Sequence, residues 1–403
     1  MLGWEFPPFF AGGAGIVCSE LSKALNELGS KVTFIMPKGP SDKLEKLNKN
    51  NSLLKIKVPK QTMDLSKKKV SSLLKPYMGW EEYDELYKDY LQKTGNKDLY
   101  GKDLKAEVER FSDLILQFKD EDFDVIHAHD WVTFLAGVKL KQITKKPLVV
   151  HVHITEFDKS GGLYADPYIY NIEKFGMLQA DKIITVSYKI KEACVSHYGI
   201  NQDKIEVVHN AATSMKDINI RKAPVKTVLF AGRITTQKGP QYFVEAAKKV
   251  LQIIQDVRFV MAGTGDLLPK MIDKVKNLGL EDKFVFTGFF TRDEAEHIFG
   301  SANVFVMPSV SEPFGLVPFE SQLKRTPTII SKQSGISEVL KHALKVDFWD
   351  VDEMANKILA LLHYTDLNEE LSDKGFEEAK NNTWQLPASK CLKIYKSVIR
   401  GAI

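Results

Sequence analysis

Ser311 to Glu320 reads SEPFGLVPFE, two glutamates separated by seven residues. It follows NVFVMPSV, Asn303–Val310, an apolar and β-branched run with the length of a short buried strand. Together they predict a strand, a loop turning at Gly315 and then a helix. In an open α/β sheet, such a loop and helix start lie beyond the carboxyl end of the strand, where ligands bind. Backbone N–H groups at that point favour an anion such as a diphosphate. A carboxylate beside the anion is poor for phosphate and good for sugar hydroxyls. Glu312 is therefore expected at a sugar ring and Glu320 at a ribose. Two glutamates on a surface loop and helix are the plain alternative, and spacing alone does not decide.

Outward from this stretch, strands and helices alternate in both halves of the chain, which predicts parallel sheets covered on both faces. The first half opens with a short strand, Met1–Trp4, stopped by Pro7 and Pro8. Chains of this pattern open with a longer strand, so either this one is stunted or the recorded start is late. Gly12, Gly13 and Gly15 then permit a tight turn into a helix over Ile16–Leu28. A glycine turn of this kind lets backbone approach a phosphate, although a plain tight turn uses the same residues. Further strands are expected at Lys31–Pro37, Asp124–Trp131, Pro147 onward, Lys182–Val186 and Lys204–Val208.

The polar, lysine-rich region 41–96 reads as a surface insertion. Its aromatics, Tyr77, Trp80, Tyr83, Tyr87 and Tyr90, could alternatively stack on acceptor sugars or pack as a helical stripe. His127, His129 and Asp130 end one strand and raise the question of a metal. Successive residues of a strand alternate faces, so at most two of them converge, and no metal is expected.

After a polar linker the second half starts with TVLFAGRITTQKG, Thr227–Gly239. Arg233 and Lys238 follow the strand, where two fixed cations would stabilise charge developing on a departing diphosphate. Two solvated cations on a loop are the bland reading. Gly263, Gly265 and Gly288 follow later strands and are weak signals of nucleotide contact. The two Asp-x-Asp strings, Asp122–Asp124 and Asp350–Asp352, do not end strands and read as surface.

These motifs together resemble the retaining GT-B glycosyltransferases of the glycogen synthase-like group, the glycosyl transferases group 1. SEPFGLVPFE resembles the Glu-x7-Glu signature, GRITTQKG the Gly-Arg-x4-Lys-Gly motif, HAHDW the His-Asp-Trp segment, and HITEFD the active-site histidine segment. The resemblance covers nearly the whole chain. It implies two Rossmann-like domains facing across a cleft. These would be an acceptor-side domain at 1–212 with insertion 41–96, a linker at 213–226, a nucleotide-sugar domain at 227–385, and a terminal helix at 386–403 crossing back to the first domain.

The resemblance also implies His153, Arg233, Lys238 and Glu312 as catalytic residues. It places Gly12, Gly13, Asp130, Gly263, Gly288, Phe314, Gly315, Leu316, Val317 and Glu320 around the donor. The glycine loop of the group carries a lysine in its Lys-Thr-Gly-Gly form, where this chain has Phe10 and Ala11. No metal or cofactor is implied beyond a nucleotide-sugar substrate. UDP- or ADP-glucose with an α-glucan is the first reading. A lipid or small-molecule acceptor, with a mannosyl donor for example, is the second.

Composition is compatible with this reading. At 403 residues the chain can bury two cores, and 44% hydrophobic with 27% charged residues is ordinary for a globular protein. A net charge of only +4 argues against a dedicated nucleic-acid binder. Cys18, Cys194 and Cys391 are scattered, as expected of thiols in a reducing cytoplasm. There is no apolar run long enough to span a bilayer and no signal-peptide pattern. A nicotinamide dehydrogenase would want GxGxxG at the start of a half, and neither half has it. A sugar-nucleotide epimerase shares the two-domain shape, but Glu-x7-Glu with Arg233 and Lys238 argues for transfer. A non-catalytic sugar-nucleotide binder is opposed by intact Glu312, Lys238 and His153 and kept open by the short first strand.

Overall fold

The computed structural model describes residues 1–7, 12–37, 54–59, 104–159, 164–213, 215 and 220–401. Most of the insertion, its five aromatics, Phe10 and Ala11 lie outside these residues.

The first domain is built on parallel strands β1 (Val32–Ile35), β2 (Leu54–Lys57), β3 (Ile126–His129), β4 (Leu148–Val152), β5 (Lys182–Thr185) and β6 (Ile205–Val207). β1 pairs with β2, and β3 to β6 pair in chain order. Met1–Gly3 joins these two pieces. The Leu2 N–H donates to the His127 carbonyl at 2.7 Å and the Ile35 N–H to the Met1 carbonyl at 2.8 Å. Leu2 thus bridges Ile35 on one side and Ala128 on the other. The opening residues are a minimal central strand, and Leu2 is buried.

The helix after the glycines covers Gly13–Glu27, not Ile16–Leu28. Gly13 and Gly15 sit inside its first turn, and neither they nor Gly12 has positive φ. The strand expected over Asp124–Trp131 is only Ile126–His129. Trp131 already begins a helix, Trp131–Thr144, because Asp130 breaks the strand with φ 57° and ψ 170°.

The second domain is one parallel sheet in the order β12-β11-β10-β7-β8-β9. Its strands are β7 (Lys226–Ala231), β8 (Val257–Ala262), β9 (Phe284–Gly288), β10 (Val304–Met307), β11 (Thr328–Ser331) and β12 (Leu344–Val346). β10 (VFVM) and the Val228–Ala231 part of β7 are continuous apolar runs because helices such as Pro240–Leu251 and Val351–His363 cover the sheet. Asp350 accepts the Glu353 N–H at 2.9 Å and so caps the latter helix.

The last helix spans Gln385–Arg400. Trp384, Ala388, Cys391, Ile394, Tyr395 and Val398 are buried in one cluster with Val17, Leu21 and Leu25 of the first domain. Chain order therefore runs first domain, second domain, first domain.

Polar contacts stitch the two domains along one seam. Ser187 caps the helix Tyr188–Tyr198 and also donates its hydroxyl to the Pro313 carbonyl at 2.7 Å. Lys189 donates to Asp158 at 2.5 Å and to Ser311 at 2.7 Å. Glu338 accepts the N–H groups of Tyr188 and Lys189 at 2.8 and 3.0 Å and lies 2.7 Å from His209 Nε2. A carboxylate at a helix N-terminus is favourable there.

Candidate active site

The carboxyl ends of β7, β8, β9 and β10 form the floor of the second-domain site. The backbone is packed so tightly here that side chains are excluded. Gly263 has φ +133°, and a Cβ on it would collide with the Gly232 carbonyl. Its N–H donates to the Gly288 carbonyl at 2.9 Å, so the ends of β8 and β9 are tied together. Gly288 itself has φ +71° at the end of β9. A bare backbone of this kind allows close approach by a flat or charged ligand.

Lys238 and Arg233 follow β7. Lys238 is half-buried and makes an ion pair with Glu312, which follows the adjacent β10. Glu312 is 7% exposed, and Ser309 lies 3.4 Å from the same carboxylate oxygen. Its backbone is fixed as well. The Glu312 N–H donates to the Gln333 carbonyl at 3.1 Å, and its own carbonyl accepts the Gly335 N–H at 2.9 Å. Arg233 is exposed and donates to Gln237 at 3.2 Å. The structure thus brings Lys238 and Glu312 together and leaves the Arg233 guanidinium beside them facing solvent.

The loop after Glu312 turns at Gly315, φ +96°, where a Cβ would press on the Glu312 side chain. Phe314 is buried and packs near His209 and Phe319. Leu316 and Val317 are half-buried at the start of the helix Val317–Gln322. Leu316 touches hydrophobic clusters of both domains. Glu320 lies in the first turn of that helix and is half-buried.

On the first-domain side, β4 runs toward His153, which is 8% exposed. Burial pushes its pKa from 6.5 down to about 3, so its imidazole is neutral. His153 Nε2 lies 2.8 Å from His129 Nδ1. Its backbone N–H donates to Asp130 at 2.7 Å. Asp130 is fully buried, and burial raises its carboxyl well above the usual range. Gly12 donates its N–H to the buried carboxylate of Glu5 at 2.8 Å, while Gly13 is exposed at the helix start. Glu5 was not singled out in the sequence, although GWEFPP places it seven residues before Gly12.

The seam joins the neighbours of the two half-sites. Ser311, next to Glu312, donates to Asp158 at 3.0 Å, five residues beyond His153. The residues reviewed from sequence therefore fall into two groups, one at each sheet's carboxyl edge, with the seam alongside both.

Of His127, His129 and Asp130, two share one face of β3, as alternation along a strand expects, and the neighbouring strand adds to them. His127 and His129 share one face, and β4 brings His151 and His153 against them, all four buried and mutually stacked. The alternation rule was applied to one strand, and the register His129↔His151 supplies the other two rings.

Comparison with known proteins fits this architecture. Residues 1–205 match the starch synthase catalytic domain, and residues 213–378 match glycosyl transferases group 1. An uncharacterised glycosyltransferase of Methanocaldococcus jannaschii is 29% identical, covering 98% of this chain and 97% of that protein. The D-inositol 3-phosphate glycosyltransferase of Paenarthrobacter aurescens is 27% identical over 73% of this chain and 78% of its own. Among solved structures, Anabaena HepE in complex with UDP-glucose superposes with a TM-score of 0.67 at 15% identity, over 98% of both chains. The chain belongs to the GT-B glycosyltransferases, with a starch synthase catalytic domain leading into a glycosyl transferases group 1 domain.

Proposed function

We propose that the protein transfers a glucosyl unit from UDP- or ADP-glucose to an α-glucan, with retention at the anomeric carbon. The observation that carries this reading is the Lys238–Glu312 pair, set over a glycine-lined floor at the carboxyl edge of the second sheet. A diphosphate entering there meets Lys238 and the free guanidinium face of Arg233. Glu312, released from its lysine, then accepts donor-sugar hydroxyls, and Glu320 accepts those of the ribose. Gly263 and Gly288 face the nucleotide, and the turn Phe314–Val317 lines the sugar and diphosphate.

His153, Asp130, Gly12 and Gly13 complete the donor site from the first domain. The bond from the anomeric carbon to the donor phosphate oxygen breaks as the acceptor oxygen bonds to the same face. The acceptor proton passes to the leaving phosphate. Holding that phosphate more tightly as its charge grows is the main catalytic effect. Lys238 and Arg233 provide the neutralising charge, so the transfer step uses no metal. The match to a starch synthase catalytic domain favours an α-glucan acceptor.

A small phosphorylated acceptor is the second reading, favoured by the likeness to a D-inositol 3-phosphate glycosyltransferase. No helix among the described residues is long and apolar enough to cross a membrane, so a lipid acceptor would be met at a surface. The test incubates the protein with a panel of nucleotide sugars and follows nucleoside diphosphate release. It is run with glycogen, with polyol phosphates, with lipid vesicles and with no acceptor. Glycogen-stimulated release from a glucose donor is expected. Stimulation only by a polyol phosphate or a vesicle would replace the acceptor, and no release from any donor would sink the reading.

A further inference from the structure

We propose that His127, His129 and His151 form a binding site for one d-block cation of the Zn2+ class, separate from the cations that meet the diphosphate. The three rings sit at the carboxyl ends of β3 and β4, with His127 and His129 two residues apart on one face and His151 paired beside His129. They are at most 3% exposed.

One nitrogen on each of two rings is already held. His127 Nδ1 lies 2.6 Å from the Tyr395 hydroxyl, and His129 Nδ1 lies 2.8 Å from His153 Nε2. The Nε2 atoms of His127 and His129, and both nitrogens of His151, find no hydrogen-bond partner among the described residues. Buried polar nitrogens rarely go unpartnered, and several clustered together point to a ligand they share. A metal-binding histidine keeps its second nitrogen in a hydrogen bond that fixes the ring, as Tyr395 and His153 do for two of these.

The three ligating atoms lie within 4.8 Å of one another. A tetrahedral ion with bonds of about 2.0–2.1 Å needs its nitrogens roughly 3.4 Å apart. Both His151 nitrogens are without a hydrogen bond among the described residues, so turning that ring is the adjustment an ion would require. The donor set selects the ion: imidazole nitrogens suit Zn2+, Co2+ or Cu2+, whereas Mg2+ and Ca2+ want oxygen. The Cys18 sulfur stands within 4.8 Å of the ligating atoms of His129 and His153, a softer donor adjoining the same place. Through Tyr395 the ion would couple the returning C-terminal helix to the first sheet.

The test titrates tag-free, chelator-stripped full-length protein with Co2+. One equivalent should bind with the visible absorption of a tetrahedral ion, Zn2+ should displace it, and the bound ion should raise Tm. His151→Phe should abolish that absorption. Tyr395→Phe keeps every ligand and should weaken affinity by about 10- to 100-fold. His127→Gln is the second ligand variant should His151→Phe fail to fold. Absence of saturable binding by the parent protein overturns the proposal. So does binding that persists in the folded ligand variants, since that assigns the cobalt to surface histidines. Metal stoichiometry and absorption do not depend on glycosyl transfer, so this result stands apart from the donor assay.

Discussion

Lys238, after β7, is ion-paired with Glu312, after the neighbouring β10. Both side chains are largely buried, so each depends on the other for its charge balance. In the proposed site, a donor diphosphate would compete with the carboxylate for the ammonium.

Lys238→Ala and Glu312→Ala should each lower kcat by about 100- to 1000-fold, the range for loss of one group that meets developing charge. The two losses should not simply add, because the two side chains are in direct contact. Steady-state kinetics of the two single variants and the double variant, with circular dichroism as a folding control, decide this.

Gly263→Ala should destabilise the second domain by at least about 2 kcal/mol, since it combines positive φ with a clash against backbone. The Gly232 carbonyl it would strike is backbone directly after β7, where the Gly232 N–H donates to the Ala262 carbonyl at 2.9 Å. A urea midpoint equal to that of the parent protein would contradict the packing described here.

Asp130 occupies a backbone region that glycine alone adopts without strain, φ 57° and ψ 170°. Asp130→Gly relieves that strain while losing the hydrogen bond to the His153 N–H; Asp130→Ala loses the bond and keeps the strain. Asp130→Gly should therefore be the more stable of the two by about 1–3 kcal/mol. Both should lose transfer activity. Denaturant melts set beside activity assays test the pair.

Lys222 ties the linker to the second domain, donating to the Ala302 carbonyl at 2.6 Å and to Thr326 at 2.7 Å. Burial pushes its pKa from 10.5 down to about 8. Between those values the folded chain binds fewer protons at this amine than the unfolded chain, so its contribution to stability rises with pH across that window. Below about pH 8 the burial cost is fully in force. Lys222→Met should flatten the rise, and because the Lys222 residue is exposed, solvent screening keeps that rise well below the full value of the shift. Urea midpoints at about pH 7 and about pH 9.5 for both proteins measure it.

Much of this was legible in the chain because the signals are local. SEPFGLVPFE follows its strand directly, and GRITTQKG sits at the end of another, so type and position could be read together. What stayed hidden depends on pairing between distant segments. Nothing local shows that Lys238 meets Glu312, 74 residues away, or that Leu2 bridges two strands. The histidine stack needed the register of β3 against β4. Nothing local singles out Glu338, which accepts the N–H groups of Tyr188 and Lys189 across the domain seam. The glycines before the first helix were assigned to a turn because glycine permits one, but with φ below zero they continue into the helix.

The competition between Glu312 and the diphosphate for Lys238 can be measured without turnover, by calorimetric titration of the donor's nucleoside diphosphate into three proteins. Relative to the parent, Lys238→Ala should bind it about tenfold more weakly and Glu312→Ala about tenfold more tightly, a difference of roughly 1.4 kcal/mol each way. Equal affinities in all three, or weaker binding once Glu312 is removed, would contradict the pairing as the centre of the site.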